Sequence, residues 1–237
     1  YSKLLESQRK IYLTGLFQSV FIRPQPSARG DSTQKDILVE LKENMSGEFN
    51  VALGYGSIEK AIGRLEVYNN NLGGTARKLG FNAEMSFINR LLGVSFSEPW
   101  TFGTPWRTDL NLTVEYKEEP GYNLDRAGGQ ITLGRKFDEQ LNFTVTYRHE
   151  DVRLSDVQVA EIPGELSSNT RSFKFSIIYD TRDNLFNASR GTYAELSDEV
   201  GIFFADQNSL FNRLSGKYKY FLPMSDATTL ATGLELG

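Results

Sequence analysis

Four segments of this chain alternate apolar and polar side chains with a period of two, which restricts them to β-strands standing between two different surroundings. Phe49, Val51, Leu53 and Tyr55 oppose Asn50, Ala52, Gly54 and Gly56. Leu110, Leu112, Val114 and Tyr116 oppose Asp109, Asn111, Thr113 and Glu115. Leu141, Phe143, Val145 and Tyr147 oppose Asn142, Thr144, Thr146 and Arg148. In the last segment Phe173, Phe175, Ile177 and Tyr179 oppose Lys174, Ser176 and Asp180, and only Ile178 breaks the order. A polar stretch closed by Gly191 follows, and alternation then resumes. In a soluble sandwich this pattern separates core from water; in a membrane barrel it separates lipid from lumen.

Strand candidates recur along most of the chain, at 48–56, 61–69, 76–87, 93–98, 107–116, 129–137, 141–149, 172–180, 192–201, 210–221 and 228–237. That makes eleven, an all-β architecture with no helical periodicity after residue 48. The first 45 residues differ. Leu4, Leu5, Ile11, Tyr12 and Leu16 recur at helical spacing and Gly15 stands where a helix would stop, which predicts an amphipathic helix over 1–16. Strand-like runs at 19–23 and 36–42 follow, joined by a Pro/Gly/Ser-rich stretch at 24–33.

Composition excludes some classes of function. The net charge of −4 supplies no basic footprint for nucleic acid, and no Lys/Arg cluster interleaves with aromatics. With no cysteine there are no disulfides and no thiolate metal sites. No window approaches the roughly 18 consecutive apolar residues of a membrane helix. Barrel strands need only about 10 residues each with half of them facing a polar lumen, so low mean hydropathy is compatible with a membrane barrel. The chain opens at Tyr1 inside an apparent element, without an initiator Met or leader pattern, and reads as an internal piece of a longer protein.

Four short motifs point further. Leu53-Gly-Tyr-Gly-Ser57 lies on the first barrel strand, Asn71-Leu-Gly-Gly74 at the next turn, and Ser97-Glu-Pro-Trp100 at another. Tyr179-Asp-Thr-Arg182, continued by Asp183 and closed by Gly191, lies at a fourth. In this order they resemble the barrel of the bacterial surface antigen family, the BamA-type and TamA-type outer-membrane assembly proteins. The helix-Gly-Leu-Phe-strand-strand order of residues 1–45 resembles the second half of a polypeptide-transport-associated (POTRA) domain, with its opening strand and helix missing. The resemblance therefore implies the C-terminal part of an α+β POTRA domain over 1–45 and, over 46–237, about eleven of the sixteen strands of a transmembrane antiparallel β-barrel. The Val-Arg-Gly-Phe type motif of the family's inward-folded loop does not occur, nor does a terminal aromatic strand.

With the first barrel strand rising from the periplasm, the expected periplasmic connections at 70–75, 99–106, 138–140, 181–191 and 222–227 are short. The opposite set includes longer ones at 117–128, 150–171 and 202–209. Trp100, Trp106, Phe137, Phe186, Phe203, Phe204, Tyr218 and Phe221 are expected at or beyond strand ends, as in an aromatic girdle.

Catalytic signals are weak. His149 beside Glu150 and Asp151 lacks the further His or Cys that a zinc site needs. Asp180, Arg182 and Asp183 are explained as a polar turn with an Arg between two carboxylates, and Glu118-Glu119-Pro120-Gly121 as a hairpin tip. The resemblance implies an insertase, not an enzyme, working without cofactor or ATP. The edge formed by Phe49, Asn50, Val51, Ala52, Leu53, Gly54, Tyr55 and Gly56 would pair weakly with the last strand and admit strands of unfolded outer-membrane clients. Its implied partners are those clients, accessory envelope lipoproteins and the lipid bilayer. A TamA-type translocation factor, a two-partner secretion transporter, a passive porin, receptor or adhesin barrel, and a soluble secreted β-sandwich are the other readings.

Overall fold

The computed structural model describes residues 2–26, 35–157, 166–202, 210–225 and 228–237. Tyr1, most of the expected 24–33 connection, the centres of the expected loops at 150–171 and 202–209, Phe203, Phe204 and residues 226–227 lie outside the described residues.

The N-terminal part follows local rules. Helix α1 (Ser2–Tyr12) stops where Thr14 and Gly15 donate backbone hydrogen bonds to the carbonyls of Ile11 and Tyr12, both at 3.1 Å. Gly15 has φ +73°, the left-handed conformation that costs a glycine nothing. Strands β1 (Phe17–Pro26) and β2 (Lys35–Glu43) form a two-stranded antiparallel ribbon with Val20 opposite Leu41 and Ile22 opposite Val39. The helix lies against β1, and Val20 is 4% exposed.

The remainder is one antiparallel sheet of eleven strands in which every strand pairs with its sequence neighbours. They are β3 (Gly47–Gly56), β4 (Lys60–Leu72), β5 (Arg77–Met85), β6 (Asn89–Glu98), β7 (Arg107–Glu119) and β8 (Tyr122–Lys136). Then follow β9 (Leu141–Ser155), β10 (Ser167–Asp180), β11 (Gly191–Gly201), β12 (Asn212–Ser225) and β13 (Thr228–Leu236). The eleven expected strands are all present. β3 forms one edge and β13 the other.

Burial in this sheet is inverted. Among the described residues the only buried hydrophobic side chain is Val20, outside the sheet, while the buried polar set is Ser86, Asn89, Ser172, Ser176, Ser197 and Glu199. The apolar side chains are displayed instead: Phe49, Val51, Leu92, Leu112, Val114, Phe175 and Leu196 are all exposed. Cross-strand register joins them into rows. Phe49, Val67, Phe81, Val94 and Leu112 form one, and Leu110, Ile131, Tyr147, Phe173 and Val200 another. The first row continues through Gly129 to His149, leaving the greasy zone, as it must where strands tilt and a perpendicular row climbs toward a rim. The opposite face carries Ser95, Asn111, Gln130, Arg148 and Ser172 in register. Among the described residues no second layer of elements packs on either face of the sheet. An apolar outer belt with a polar inner wall is the arrangement of a membrane-spanning barrel.

Two expectations need correction. Residues 117–128 are not a loop: β7 and β8 continue to Glu119 and Tyr122 and are joined only by Pro120 and Gly121. Likewise β9 extends to Ser155 and β10 begins at Ser167. Alternation fades at the strand limits expected from sequence, but above the bilayer both faces meet water while the backbone ladder continues without apolar side chains. With these limits the expected difference between the rims is partial: 156–166 and 202–211 remain long on the expected external side, but 57–59, 86–88 and 120–121 there are brief, and 99–106 and 181–190 on the other side are long. The second correction concerns Tyr218, which sits inside β12 opposite Ala194 and Leu234.

Candidate functional site

The turn after β10 is built by its own polar side chains. Asp180 ends the strand on the inner face and accepts three hydrogen bonds from Arg182: backbone N–H at 3.1 Å, Nε at 2.9 Å and Nη2 at 2.7 Å. The fork is bidentate, the strongest geometry available to this pair, and the Asp180 carboxylate holds the Arg182 guanidinium above its usual range. The guanidinium also lies 4.7 Å from the ring centroid of Tyr193 on β11, tying the turn to the next strand. Asp183 organises the other half. It accepts from the backbone N–H groups of Asn184 (3.0 Å), Ser189 (2.9 Å) and Arg190 (3.2 Å), and from the Ser189 hydroxyl. These bonds, led by the Ser189 hydroxyl, pull its carboxyl down to about 2.

Gly191 closes the turn at φ +110°, and a Cβ there would run into the Thr181 carbonyl oxygen. The expected motif residues Tyr179, Asp180, Arg182, Asp183 and Gly191 thus form one local unit, with Tyr179 on the outer wall opposite Leu141 and Ala194. The sequence reading missed the Thr181–Thr192 clasp, in which the Thr192 N–H donates to Thr181 Oγ1 at 2.9 Å. It also missed Asn184, whose Oδ1 accepts from the N–H groups of Phe186 and Asn187. An Asp-Asn pair ahead of a Gly was the available signal.

The other motifs act similarly. Asn71 Oδ1 accepts the Ala76 N–H at 2.8 Å across its turn, and Ser97 donates to Asp109 Oδ1 at 2.7 Å on the inner wall.

The edge strand β3 presents a contrast. It pairs only with β4 in the sheet order, and Phe49, Val51, Leu53 and Tyr55 are 67%, 59%, 86% and 77% exposed. Its inner face offers Asn50, Ala52, Gly54 and Gly56, and a Cβ at Gly54 would meet nothing nearer than Ile62 Cβ at 4.0 Å. Further round the sheet the inner wall is tightly bound. Glu199, 6% exposed, accepts from Ser172 Oγ at 2.7 Å, pairs with Arg148, and has Arg213 at 3.8 Å. Four consecutive strands, β9 to β12, meet in that cluster. Only the phase of Glu199 and Ser172 on the inner face foreshadowed it. His149 lies on the outer wall above the belt, with Asp151 at 3.0 Å from its Nε2 and Arg171 donating to its Nδ1 at 3.2 Å.

The fold and these turns can be set beside known proteins. The Omp85 superfamily domain matches residues 71–237, well over half of the chain. The chain belongs to the Omp85 superfamily. Two relatives of this Omp85 chain are the chloroplastic outer envelope protein 80 of rice, Oryza sativa subsp. japonica, and the outer membrane protein assembly factor BamA of Buchnera aphidicola. The first is 30% identical over 136 residues, covering 53% of this chain and 20% of that protein. The second is 26% identical over 193 residues, covering 76% of this chain and 30% of that protein. In three dimensions the chain resembles the crystal structure of BamA from Haemophilus ducreyi lacking POTRA domains 1–3. The TM-score is 0.67 at 17% identity, over 98% of this chain and 49% of that one. The Omp85 chain thus spans less than a third of these two relatives and about half of the solved structure. As an Omp85 member with an apolar outer belt, it is an outer-membrane β-barrel protein.

Proposed function

We propose that this Omp85 chain is part of an outer-membrane protein assembly factor of BamA type, in which β3 is the strand that admits clients. The observation that carries this reading is the difference between the two regions of the sheet. β3 turns Gly54 and Gly56 to the inner wall, where a side chain at Gly54 would find open space, while β9 to β12 are bound across that wall by the Glu199 cluster. An unpaired strand edge templates another strand through its N–H and C=O groups, so unfolded outer-membrane clients would add to β3 by β-augmentation. Burying the client's lipid-facing side chains supplies the free energy, without ATP, cofactor or chemical catalysis.

Residues 1–45 are the C-terminal part of a POTRA domain in this reading, standing in the periplasm before a barrel that begins at 46. The β1–β2 ribbon gives such a module a strand edge with which to guide clients or hold accessory envelope lipoproteins. A TamA-type translocation or two-partner secretion role uses the same barrel with a different cargo. A passive porin, receptor or adhesin barrel would need no weak edge at all.

The test is a reversible lock. Cysteines placed at Leu53 and on the closing strand of the full-length protein are expected to stop assembly of outer-membrane clients in oxidising medium and to release it in reducing medium. Assembly that continues with the lock formed would refute the role of β3.

A further inference from the structure

Arg135 is placed where a barrel wall meets a membrane surface. It lies on β8 with the outer-wall phase of Ile131 and Leu133, opposite Phe143 of β9, one residue before the strand ends at Lys136. Its guanidinium stands 5.6 Å from the ring centroid of Trp106 and 5.0 Å from that of Phe137, so two aromatic rings from the flanking connections hold it. Its Nε is buried and meets no acceptor, which leaves the terminal pair of Nη groups as the donors that a ligand from outside can reach. Among the described residues no carboxylate pairs with it, although the other outer-wall arginine near this rim, Arg77, is paired with Glu98. A cation on the lipid-facing wall, shielded by two rings and lacking an anion from its own chain, is stabilised by an anion from the surroundings.

We infer that Arg135, clamped by Trp106 and Phe137, binds the phosphodiester headgroup of one phospholipid in the leaflet on the β1–β2 side of the membrane. The planar fork suits a phosphate diester, which accepts two parallel N–H bonds. The rings exclude water from one flank and sit at headgroup depth, where aromatic side chains are favoured. Leu133 on the same strand, with Val145 opposite it and Phe143 and Ile177 on the neighbouring strands, supplies apolar surface for the acyl chains. The lipid would fix the height of the wall at the rim that carries the β6–β7 and β8–β9 connections. Assignment of that leaflet to the periplasmic side rests on the proposed function, but the site is read by bound lipid and not by client assembly, so the two fail separately.

The experiment is native mass spectrometry of the detergent-solubilised full-length protein titrated with phosphatidylglycerol, with lipid A and inorganic phosphate as competitors. Heat-modifiable gel mobility confirms that each variant is folded. One tightly held phosphatidylglycerol is expected. Arg135→Gln should lower its retention roughly tenfold, Trp106→Leu should lower it several-fold with the charge intact, and Arg135→Lys should fall between wild type and Arg135→Gln, as about one charge-assisted bidentate contact implies. Should Arg135→Gln fail to fold, Trp106→Leu and Arg135→Lys still decide the matter. Retention at wild-type level in the folded variants overturns the site. Preferential capture of lipid A overturns the leaflet, and displacement by inorganic phosphate at equal concentration overturns the lipid headgroup as the ligand.

Discussion

At the scale of single residues, the turn after β10 depends on atoms that cannot be exchanged. Replacing Gly191 by Ala would place a methyl against the Thr181 carbonyl at φ +110°, a backbone conformation that L-residues rarely adopt. Gly191→Ala is therefore expected to destabilise the barrel by about 1–3 kcal/mol, read as a lowered urea midpoint with unchanged slope. Asp183 makes a second prediction. Its carboxyl titrates at about 2, below the ordinary 3.8, because the folded turn donates hydrogen bonds to the ionised form. A depressed folded value means that this contribution is complete above about 3.8 and is lost as pH falls toward about 2. Hydrogen exchange at the Ser189 and Arg190 amides, corrected for intrinsic rates, should accelerate across that window in the wild type. In Asp183→Asn it should be fast throughout. The motif residues were legible in the sequence because turns are built locally; the Thr181–Thr192 clasp and the Tyr193 stack were not, because they depend on how β10 and β11 register.

At the scale of elements, β3 and the inner cluster differ for a physical reason. Gly54 presents no side chain to its neighbours, and glycine in a strand interior is destabilising by roughly 0.5–1 kcal/mol relative to Ala. Because a Cβ there has room, Gly54→Ala should be tolerated sterically. It should raise hydrogen-exchange protection of the β3 amides and, under the proposed function, slow client assembly. Slower exchange with unchanged assembly would separate edge stability from function. Strand identity was readable along the whole sheet, since a period of two survives in sequence wherever the two faces meet different solvents. Strand ends were not. β7 to β10 continue past the point where alternation stops, for example with Tyr116 opposite Asp125, because the backbone ladder has no compositional requirement once both faces are wet.

At the scale of the whole molecule, the sheet has its apolar side outward. The consequence is an asymmetry between neighbouring positions on one strand. Leu112, exposed on the outer belt, and Thr113, on the inner wall, are adjacent. Leu112→Arg is expected to cost about 2–4 kcal/mol if it lies near the bilayer midplane, whereas Thr113→Arg should cost little. Unfolding from phospholipid vesicles measures both. Equal costs would mean that the belt does not face hydrocarbon.

What the sequence determined by itself is the set of strands, their two faces and the chemistry of their turns, since each of these is written within a few neighbouring residues. What only the tertiary structure decided is which face points away from the enclosed wall, how far each strand climbs beyond the membrane, and which distant side chains meet. Arg148, Ser172 and Glu199 form a single cluster, and Arg135, Trp106 and Phe137 another. Those outcomes depend on sheet register and strand tilt, which are collective properties of eleven paired strands that no single segment encodes.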